Sequence, residues 1–334
     1  MSIAKPQPGT TPNELASLFE PVAAELTTVS QRLKSELRHP DPAIHELAQH
    51  SFRMGGKRLR PSLLLLTAQA VGKVNESHRV LAAVVEMIHT ATLVHDDVLD
   101  EATIRRHEAT VNARWNNQSS ILLGDYLFSH AFYLASTLET TIACQAIGRA
   151  TKIVCAGELK QTAACGDFDL SRAAYLEIID AKTAELCACC CQLGAHFAGA
   201  SQQLTSQLAS YGRHLGIAFQ IADDLLDLEG DERVAGKSLG TDLSNFKMTL
   251  PLIHLRDQLE ESQRGELRQL IEQPGAGNRS RLFQWLVETS SLQHAREVAE
   301  EHATSAIALL AELPGSNAHQ TLQQIAHFVV ERSY

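Results

Sequence analysis

The sequence predicts an all-α protein, and three observations support this. Apolar residues recur at three- and four-residue spacing through long stretches, as between Leu208 and Ala222. No alternating apolar and polar run bounded by turn residues predicts a β-sheet. The 334 residues are 44 % hydrophobic with charged residues scattered throughout, which allows a large core and excludes a disordered chain.

The helices can be assigned in order from their start signals and periodicity. Thr11-Pro12-Asn13-Glu14 and Asp41-Pro42 each combine an N-cap residue with proline at the first helical position. Further helices are predicted over about 61–71, 79–101, 119–138, 141–164, 171–199, 202–229, 249–261, 279–290, 292–312 and 318–332. Loops are predicted at 55–56, 105–118, 166–170, 230–246 and 274–278. We expect a disordered tail over 1–10 and a single domain over 11–334.

Composition excludes several classes of protein. A net charge of −10 leaves no basic footprint for nucleic acid, and no apolar run approaches the ~20 residues that a membrane-spanning helix needs. The absence of a signal or transit pattern and an odd count of 7 cysteines favour the cytoplasm. Four cysteines crowd together in a helical pattern, which favours buried apolar residues over a C-x-x-C metal or redox site: Cys187, Cys189, Cys190 and Cys191.

Two acidic pentapeptides carry the strongest chemical signal, Asp96–Asp100 and Asp223–Asp227, each with the pattern D-D-x-x-D. Both end an apolar helical stretch, and the first and fifth residues of each lie about one turn apart on one face. Mutual repulsion and the helix dipole disfavour carboxylates there, at a cost of about 1–3 kcal/mol over both motifs. A shared site for Mg²⁺ and phosphate would offset that cost, because Mg²⁺ takes one or two carboxylates and completes its shell with water or phosphate oxygens.

Basic residues that could bind phosphate follow a glycine pair and each of the two acidic motifs. Gly55-Gly56 precedes Lys57, Arg58 and Arg60, and Arg105-Arg106 follows the first acidic motif. Glycine allows close backbone approach to an anion, while lysine and arginine supply charge and hydrogen bonds. Lys237 and Lys247 follow the second motif. His89 and Thr92 share the helix face of Asp96, and Gln220 lies one turn before Asp224.

With these motifs assembled, the chain resembles the trans-isoprenyl diphosphate synthases, the chain-elongating polyprenyl synthetases. The resemblance rests on GGKRLRP at 55–61, HTATLVHDDVLD at 89–100, Arg105-Arg106, Gly124-Asp125, Lys182-Thr183, GIAFQIADDLLD at 216–227 and KMTLPLIH at 247–254. It implies about a dozen mostly antiparallel helices around a deep central cavity, assembled as a homodimer. It also implies condensation of isopentenyl diphosphate with an allylic diphosphate, repeated to give an all-trans product, with loose membrane association for product release.

The resemblance also implies a role for each matching residue. Asp96, Asp100 and Asp223 are expected to bind Mg²⁺, for which Mn²⁺ could substitute, with Asp227 as a further ligand and Asp97 and Asp224 in support. Arg105, Lys182, Lys237 and Lys247 are expected to hold the allylic diphosphate. Lys57, Arg60, His89 and Arg106 would hold isopentenyl diphosphate, and Thr183 and Gln220 would lie beside the reacting carbons. Two positions depart from the usual glycines of the family, His107 and Phe246.

The resemblance also implies that product length follows the residues four and five positions before the first motif, because bulky residues there block the growing chain in this family. Ala91 and Thr92 are small, which predicts a product of C30 to C50, with Phe128 or Phe132 as a deeper floor. A farnesyl or geranylgeranyl synthase, or the catalytic subunit of a heteromeric synthase, is the nearest alternative. A metal phosphohydrolase built on His95-Asp96 leaves the second motif unexplained. A terpene cyclase normally carries an Asn/Ser/Glu triad in place of the second D-D-x-x-D. Non-catalytic subunits of heteromeric synthases tend to lose acidic motifs, whereas both motifs are intact here.

Overall fold

The computed structural model describes residues 17–53, 58–106, 108–229, 243, 245–273 and 276–331. After a 3₁₀ turn at Glu20–Val22, the helices are α1 (Ala23–Glu36), α2 (Pro42–Arg53), α3 (Leu59–Val71), α4 (Glu76–Leu99), α5 (Val111–Arg114), α6 (Asn117–Ser136), α7 (Ile142–Ala164), α8 (Arg172–Ile179), α9 (Glu185–Phe197), α10 (Gln202–Glu229), α11 (Leu250–Gln258), α12 (Glu261–Glu272), α13 (Ala276–Glu288), α14 (Ser291–Ala308) and α15 (Asn317–Glu331). A π-turn at Asp180–Ala184 joins α8 to α9. The all-α prediction is confirmed.

The principal core lies between α3, α4, α9 and α10. The middle of helix α3 is enclosed on all sides, because the consecutive residues Leu63, Leu64, Leu65 and Leu66 are all fully buried. Four consecutive residues point in every direction around a helix, so this stretch needs neighbours on every side, and α1, α4, α9 and α15 contact α3. The four clustered cysteines are buried in this core, as predicted, and burial raises the pKa of Cys189 and of Cys191 to about 12. These thiols therefore pack as small apolar groups.

Several predicted boundaries were wrong. A two-residue antiparallel pair, Ile104–Arg105 (β1) with Glu108–Ala109 (β2), and the short α5 occupy part of the predicted loop 105–118. Helix α12 was missed because only Leu267, Leu270 and Ile271 are buried on it, although a capping box between Glu260 and Gln263 marks its start. Helix α13 begins inside the predicted loop 274–278, and the predicted helix 171–199 contains the π-turn. The predicted start at Thr11 lies outside the described residues.

Candidate active site

The first acidic motif forms the C-terminal end of α4, and its aspartates have different surroundings. Asp96 is half-buried, and its carbonyl accepts the backbone N–H of Asp100 at 2.8 Å. Asp97 is only 1 % exposed, and its Oδ1 accepts a 2.7 Å bond from Nε of Arg105. The Asp97 backbone carbonyl accepts the N–H of Ala102, which ties down the loop leading to Arg105. Asp97 therefore positions Arg105. Asp96 and Asp100, one turn apart on the helix, are the two aspartates of this motif that are left to bind a ligand.

The second motif forms the end of α10 and is held by a chain of hydrogen bonds. Thr183 donates to Gln220 Oε1 at 2.7 Å, and Gln220 Nε2 donates to Asp224 Oδ1 at 2.8 Å. Tyr175 on α8 donates to Asp224 Oδ2 at 2.6 Å. Asp224 and Asp227 are buried and Asp223 is half-buried. Asp224 thus orients the end of the helix, and Tyr175 is a site residue that sequence reasoning missed because it matches no motif.

Lys182 is carried by the π-turn and is paired with Glu158 of α7. The distance from Lys182 Nζ to Glu158 Oε1 is 2.6 Å, and both side chains are about one-quarter exposed, at 23 % and 21 %. Burial, followed by the nearby charge of Asp96, raises the pKa of Glu158. Burial also raises the pKa of Asp96, whereas Lys182 lowers it. Glu158, which the sequence analysis missed, therefore lies with Asp96 and Lys182 where α4, α7 and the π-turn meet.

Lys247 brings the segment after the second motif to the first motif. Its Nζ lies 3.1 Å from Oδ1 of Asp100, and its side chain is 16 % exposed. The preceding residue, Phe246, has φ of +50°, in the left-handed region that favours glycine. The Phe246 carbonyl accepts the N–H of Gly166 at 3.1 Å, which anchors this backbone conformation. The departure at Phe246 is thus accommodated with a strained backbone, at about 1–3 kcal/mol.

A basic cluster lies on the N-terminal side of the first motif. Arg60 Nη1 lies 3.0 Å from His89 Nε2. Because an arginine can only donate, His89 Nε2 is the acceptor and the ring proton is on Nδ1. Burial, and then the charges of nearby arginines, lower the pKa of His89 well below its usual value, so the ring is neutral. The arginines of this basic cluster are Arg60, Arg106, Arg105 and Arg58.

The basic cluster also includes the buried carboxylate of Glu86. Glu86 on α4 is 3 % exposed and accepts a 2.7 Å bond from Nη1 of Arg58, which has a left-handed φ of +53° just before α3. The sequence analysis did not single out Glu86, and it named Arg58 only as one of the cations that follow Gly55-Gly56. The helical spacing of Glu86 and His89, which places both on one face of α4, is the signal that could have found Glu86.

The predicted site residues thus form two groups. Asp96, Asp100, Lys182 and Lys247 come together, and Thr183, Gln220 and Asp224 form a second, hydrogen-bonded group. Arg60, His89, Arg105 and Arg106 lie beside the first group. Lys57, His107 and Lys237 lie outside the described residues.

Two further residues of the sequence motifs, His95 and Gly124, contact each other in the structure. His95 Nε2 lies 3.0 Å from the carbonyl of Ile121, and a Cβ on Gly124 would lie 2.1 Å from that nitrogen. Gly124 is therefore required by the close approach of the His95 ring. His95 has a structural partner, which explains the His95-Asp96 pair without a phosphohydrolase metal centre.

The residues predicted to control product length have unequal surroundings. Ala91 is fully buried among Val94, Leu123 and Leu127, so it is part of a packed cluster. Thr92 is half-buried, and its hydroxyl donates to the carbonyl of His89 at 2.8 Å. Packed side chains therefore enclose Ala91, whereas part of the Thr92 side chain is accessible.

Within the part of the chain that the structure describes, no three or more His, Cys, Asp or Glu side chains are grouped closely enough to hold a metal ion by themselves. The same residues include no helix with the length and apolar character needed to cross a membrane.

Comparisons with known proteins show the family to which the chain belongs. A sequence model of the family described as "Polyprenyl synthetase" matches residues 41–288. The octaprenyl diphosphate synthase of Escherichia coli (strain K12) is 36 % identical over 322 residues, covering 95 % of this chain and 99 % of that protein.

Two crystal structures extend the likeness to the fold. A decaprenyl diphosphate synthase from Rhodobacter capsulatus has a TM-score of 0.90 at 35 % identity, covering 95 % of this chain and 98 % of its own. A polyprenyl synthase from Caulobacter crescentus CB15, complexed with calcium and isoprenyl diphosphate, has a TM-score of 0.88 at 35 % identity, covering 98 % and 99 %. The chain therefore belongs to the polyprenyl synthetase family and is a prenyltransferase of the long-chain, all-trans polyprenyl diphosphate synthase type.

Proposed function

We propose that this chain condenses isopentenyl diphosphate head-to-tail with an allylic prenyl diphosphate, and repeats the reaction to a C30–C50 product. The observation that carries the proposal is the 3.1 Å contact between Lys247 and Asp100. It joins the segment after the second acidic motif to the first motif. Lys182 lies beside Asp96 in the same site. The site therefore combines carboxylates that can bind a metal with lysines that can bind a metal-bound diphosphate.

The carboxylates fit a divalent metal that is shared with substrate. The described residues offer too few grouped ligands for an all-protein cage, and Mg²⁺ commonly binds through one or two carboxylates and substrate phosphates. We assign Asp96, Asp100, Asp223 and Asp227 as its ligands, with Mg²⁺ as the metal and Mn²⁺ as a substitute. The metal would neutralise the charge that develops on the departing diphosphate.

The two substrates would bind to two different groups of cations. Lys182, Lys247 and Arg105 would hold the allylic diphosphate, joined by Lys237 from outside the described residues. Lys182 and Lys247 are now paired with Glu158 and Asp100, so each would exchange a carboxylate for a diphosphate oxygen.

Isopentenyl diphosphate would bind at the basic cluster. Arg60, Arg106 and the neutral His89 would donate to it, together with Lys57. The neutral state of His89 matters, because its Nδ1–H can donate to phosphate while Nε2 orients Arg60. Arg58 would act indirectly, since Glu86 already holds its guanidinium.

The chemistry then needs few further protein groups. The allylic C–O bond breaks, and its electron pair leaves with the diphosphate held by the lysines. The double bond of isopentenyl diphosphate attacks the allylic cation and forms the new C–C bond. The proton lost from the product is taken by the departed diphosphate. Thr183 and Gln220, fixed by their hydrogen bond to one another, would present oxygen atoms beside the cationic carbons.

We also propose a homodimer formed through α6 and α7. Leu122 and Leu159 are 59 % and 73 % exposed, and Ile121, Tyr133 and Ile142 on the same two helices are also exposed. Exposed apolar residues on two helices that contact each other favour a protein partner, and we propose a second copy of this chain. A cytoplasmic location, with loose membrane contact as the apolar product leaves, completes the proposal.

The test uses purified protein, Mg²⁺, labelled isopentenyl diphosphate and farnesyl or geranylgeranyl diphosphate as primer. We expect prenyl diphosphates longer than the primer, resolved by chromatography after dephosphorylation, and loss of product in Asp96→Ala. Products of C20 or shorter would instead support a short-chain synthase. Activity only after addition of a partner protein would support a heteromeric subunit, and full activity in Asp96→Ala would contradict the site.

A further inference from the structure

The π-turn at Asp180–Ala184 separates α8 from α9 within one continuous helical run. It is closed by the backbone N–H of Glu185, which donates to the carbonyl of Asp180. A π-turn accommodates one residue more than an α-helical turn, and such turns are rare and frequent at functional sites. Lys182 and Thr183 lie inside it, so the direction of both side chains depends on the turn keeping this form.

Glycines on the two flanking helices make room for the wide turn. A Cβ on Gly157 of α7 would lie 2.7 Å from the Lys182 backbone nitrogen. A Cβ on Gly216 of α10 would lie 2.5 Å from the Ala184 Cα. Both contacts are with backbone or Cα atoms, which cannot rotate away. The turn is therefore closely enclosed between α7 and α10.

Arg213 of α10 binds the two residues that close the turn. Its Nη1 donates to Oδ1 of Asp180, and its Nη2 donates to Oε2 of Glu185. The side-chain bridge therefore spans the same pair that the i→i+5 backbone hydrogen bond joins. The planar guanidinium has a fixed separation between its donors, so it favours one spacing of the two carboxylates.

The spacing along α10 links this bridge to the active site. Arg213, Gly216 and Gln220 follow the i, i+3, i+7 pattern and so lie on one face of the helix. That face contacts the π-turn at three points: through the guanidinium at the carboxylates, through Gly216 at Ala184, and through Gln220 at Thr183. The second acidic motif continues from the same helix.

We propose that Arg213 is a positioning residue. By bridging Asp180 and Glu185 it keeps this segment in the π-helical form, and so directs Lys182 and Thr183 toward the allylic substrate. This inference rests on the proposed function, in which Lys182 binds the allylic diphosphate. Without the bridge the turn can relax toward a regular helix. That change would rotate Lys182 away from its place beside Asp96.

The test compares Arg213→Met and Arg213→Lys with Arg79→Met. Arg79 is a matched control, because it also bridges two carboxylates, those of Glu25 and Glu76, and lies at the distant end of α4. We expect Arg213→Met to lower kcat/KM for the allylic substrate by about 10- to 100-fold, because small displacements of reacting groups have effects of that size. KM for isopentenyl diphosphate should stay within about twofold, because that substrate binds at the separate basic cluster.

The other variants separate positioning from general stability. Arg213→Lys keeps the charge but loses the fork, so we expect partial rescue. Arg79→Met should lower the melting temperature without changing either kinetic constant. Hydrogen exchange at the Glu185 amide should accelerate in Arg213→Met only. If Arg213→Met fails to fold, Glu185→Gln removes one arm of the bridge and decides the question through the same measurements.

The inference would be overturned if Arg213→Met matched Arg79→Met, or if it weakened both substrates equally. Either result with an active wild-type enzyme would leave the proposed function intact. An inactive wild type, or an Asp96→Ala variant as active as wild type, would contradict the proposed function instead.

Discussion

Tyr175→Phe tests the hydrogen-bond chain that holds the second acidic motif. The substitution removes one hydroxyl and almost no volume, so it breaks the 2.6 Å bond to Asp224 Oδ2 without opening a large cavity. Asp224 is only 5 % exposed, so water cannot readily replace the lost donor. A hydrogen bond to a charged group contributes about 1.5–3 kcal/mol, which corresponds to about 10- to 150-fold in any constant that depends on the Asp224 position.

The assay measures kcat and KM for each substrate, the Mg²⁺ concentration that gives half-maximal rate, and the free energy of unfolding in urea. We expect a lower kcat and a higher Mg²⁺ requirement, because Asp223 and Asp227 lie on the same helix end. Tyr211→Phe is the matched control: Tyr211 is also buried on its helix, but its hydroxyl donates to the backbone carbonyl of Leu322. It should lose stability and keep its kinetic constants.

A double-mutant cycle completes this test. If the hydroxyl acts through Asp224, Tyr175→Phe should add little to Asp224→Asn, because the partner charge is already gone. The reasoning is refuted if Tyr175→Phe lowers only stability, as Tyr211→Phe does, or if the two effects are additive.

Three further predictions concern pH, product length and assembly. Burial lowers the pKa of His214 and of His302, whose Nδ1 atoms lie 3.0 Å apart, so the unfolded chain takes up protons near pH 6.5 more readily than the fold does. The free energy of unfolding should therefore fall as pH decreases below about 6.5. Urea titrations at several pH values should show a smaller change of this free energy with pH in a His214→Asn, His302→Asn double variant. Thr92→Phe should shorten the product by one or more isoprene units in chromatography, and an unchanged length would place the limit elsewhere. Leu159→Glu should shift the protein from dimer to monomer in sedimentation at micromolar concentration, whereas the exposed Phe283→Glu on α13 should not.

Much of the site was predictable because its chemistry is local in sequence. A carboxylate pair one turn apart needs only the helical repeat, so Asp96 and Asp100 could be placed on one face from their spacing. His89 followed from the same repeat, whereas its neutral state did not. That state depends on burial and on arginines from other segments, among them Arg60 on α3.

Other features required contacts between distant segments. The sequence predicted a supporting role for Asp97 beside the metal ligands, but only the structure identifies Arg105 as the partner of its buried carboxylate. Glu158 and Tyr175 match no motif, and each acquires its role only when α7 or α8 packs beside an acidic helix end. Ala91 appeared equivalent to Thr92 by size, but burial in a packed cluster distinguishes the two.

The sequence by itself determined the all-α class, the two acidic helix ends and the cationic segments that follow them, because helical periodicity and charge pattern are properties of neighbouring residues. Tertiary structure decided which cation meets which carboxylate, as with Lys247 and Asp100. It also decided the π-turn, whose width depends on Gly157 and Gly216 in two other helices and on the bridge from Arg213. The physical reason is that these energies arise between segments far apart in the chain, where no local pattern records which partner will be near.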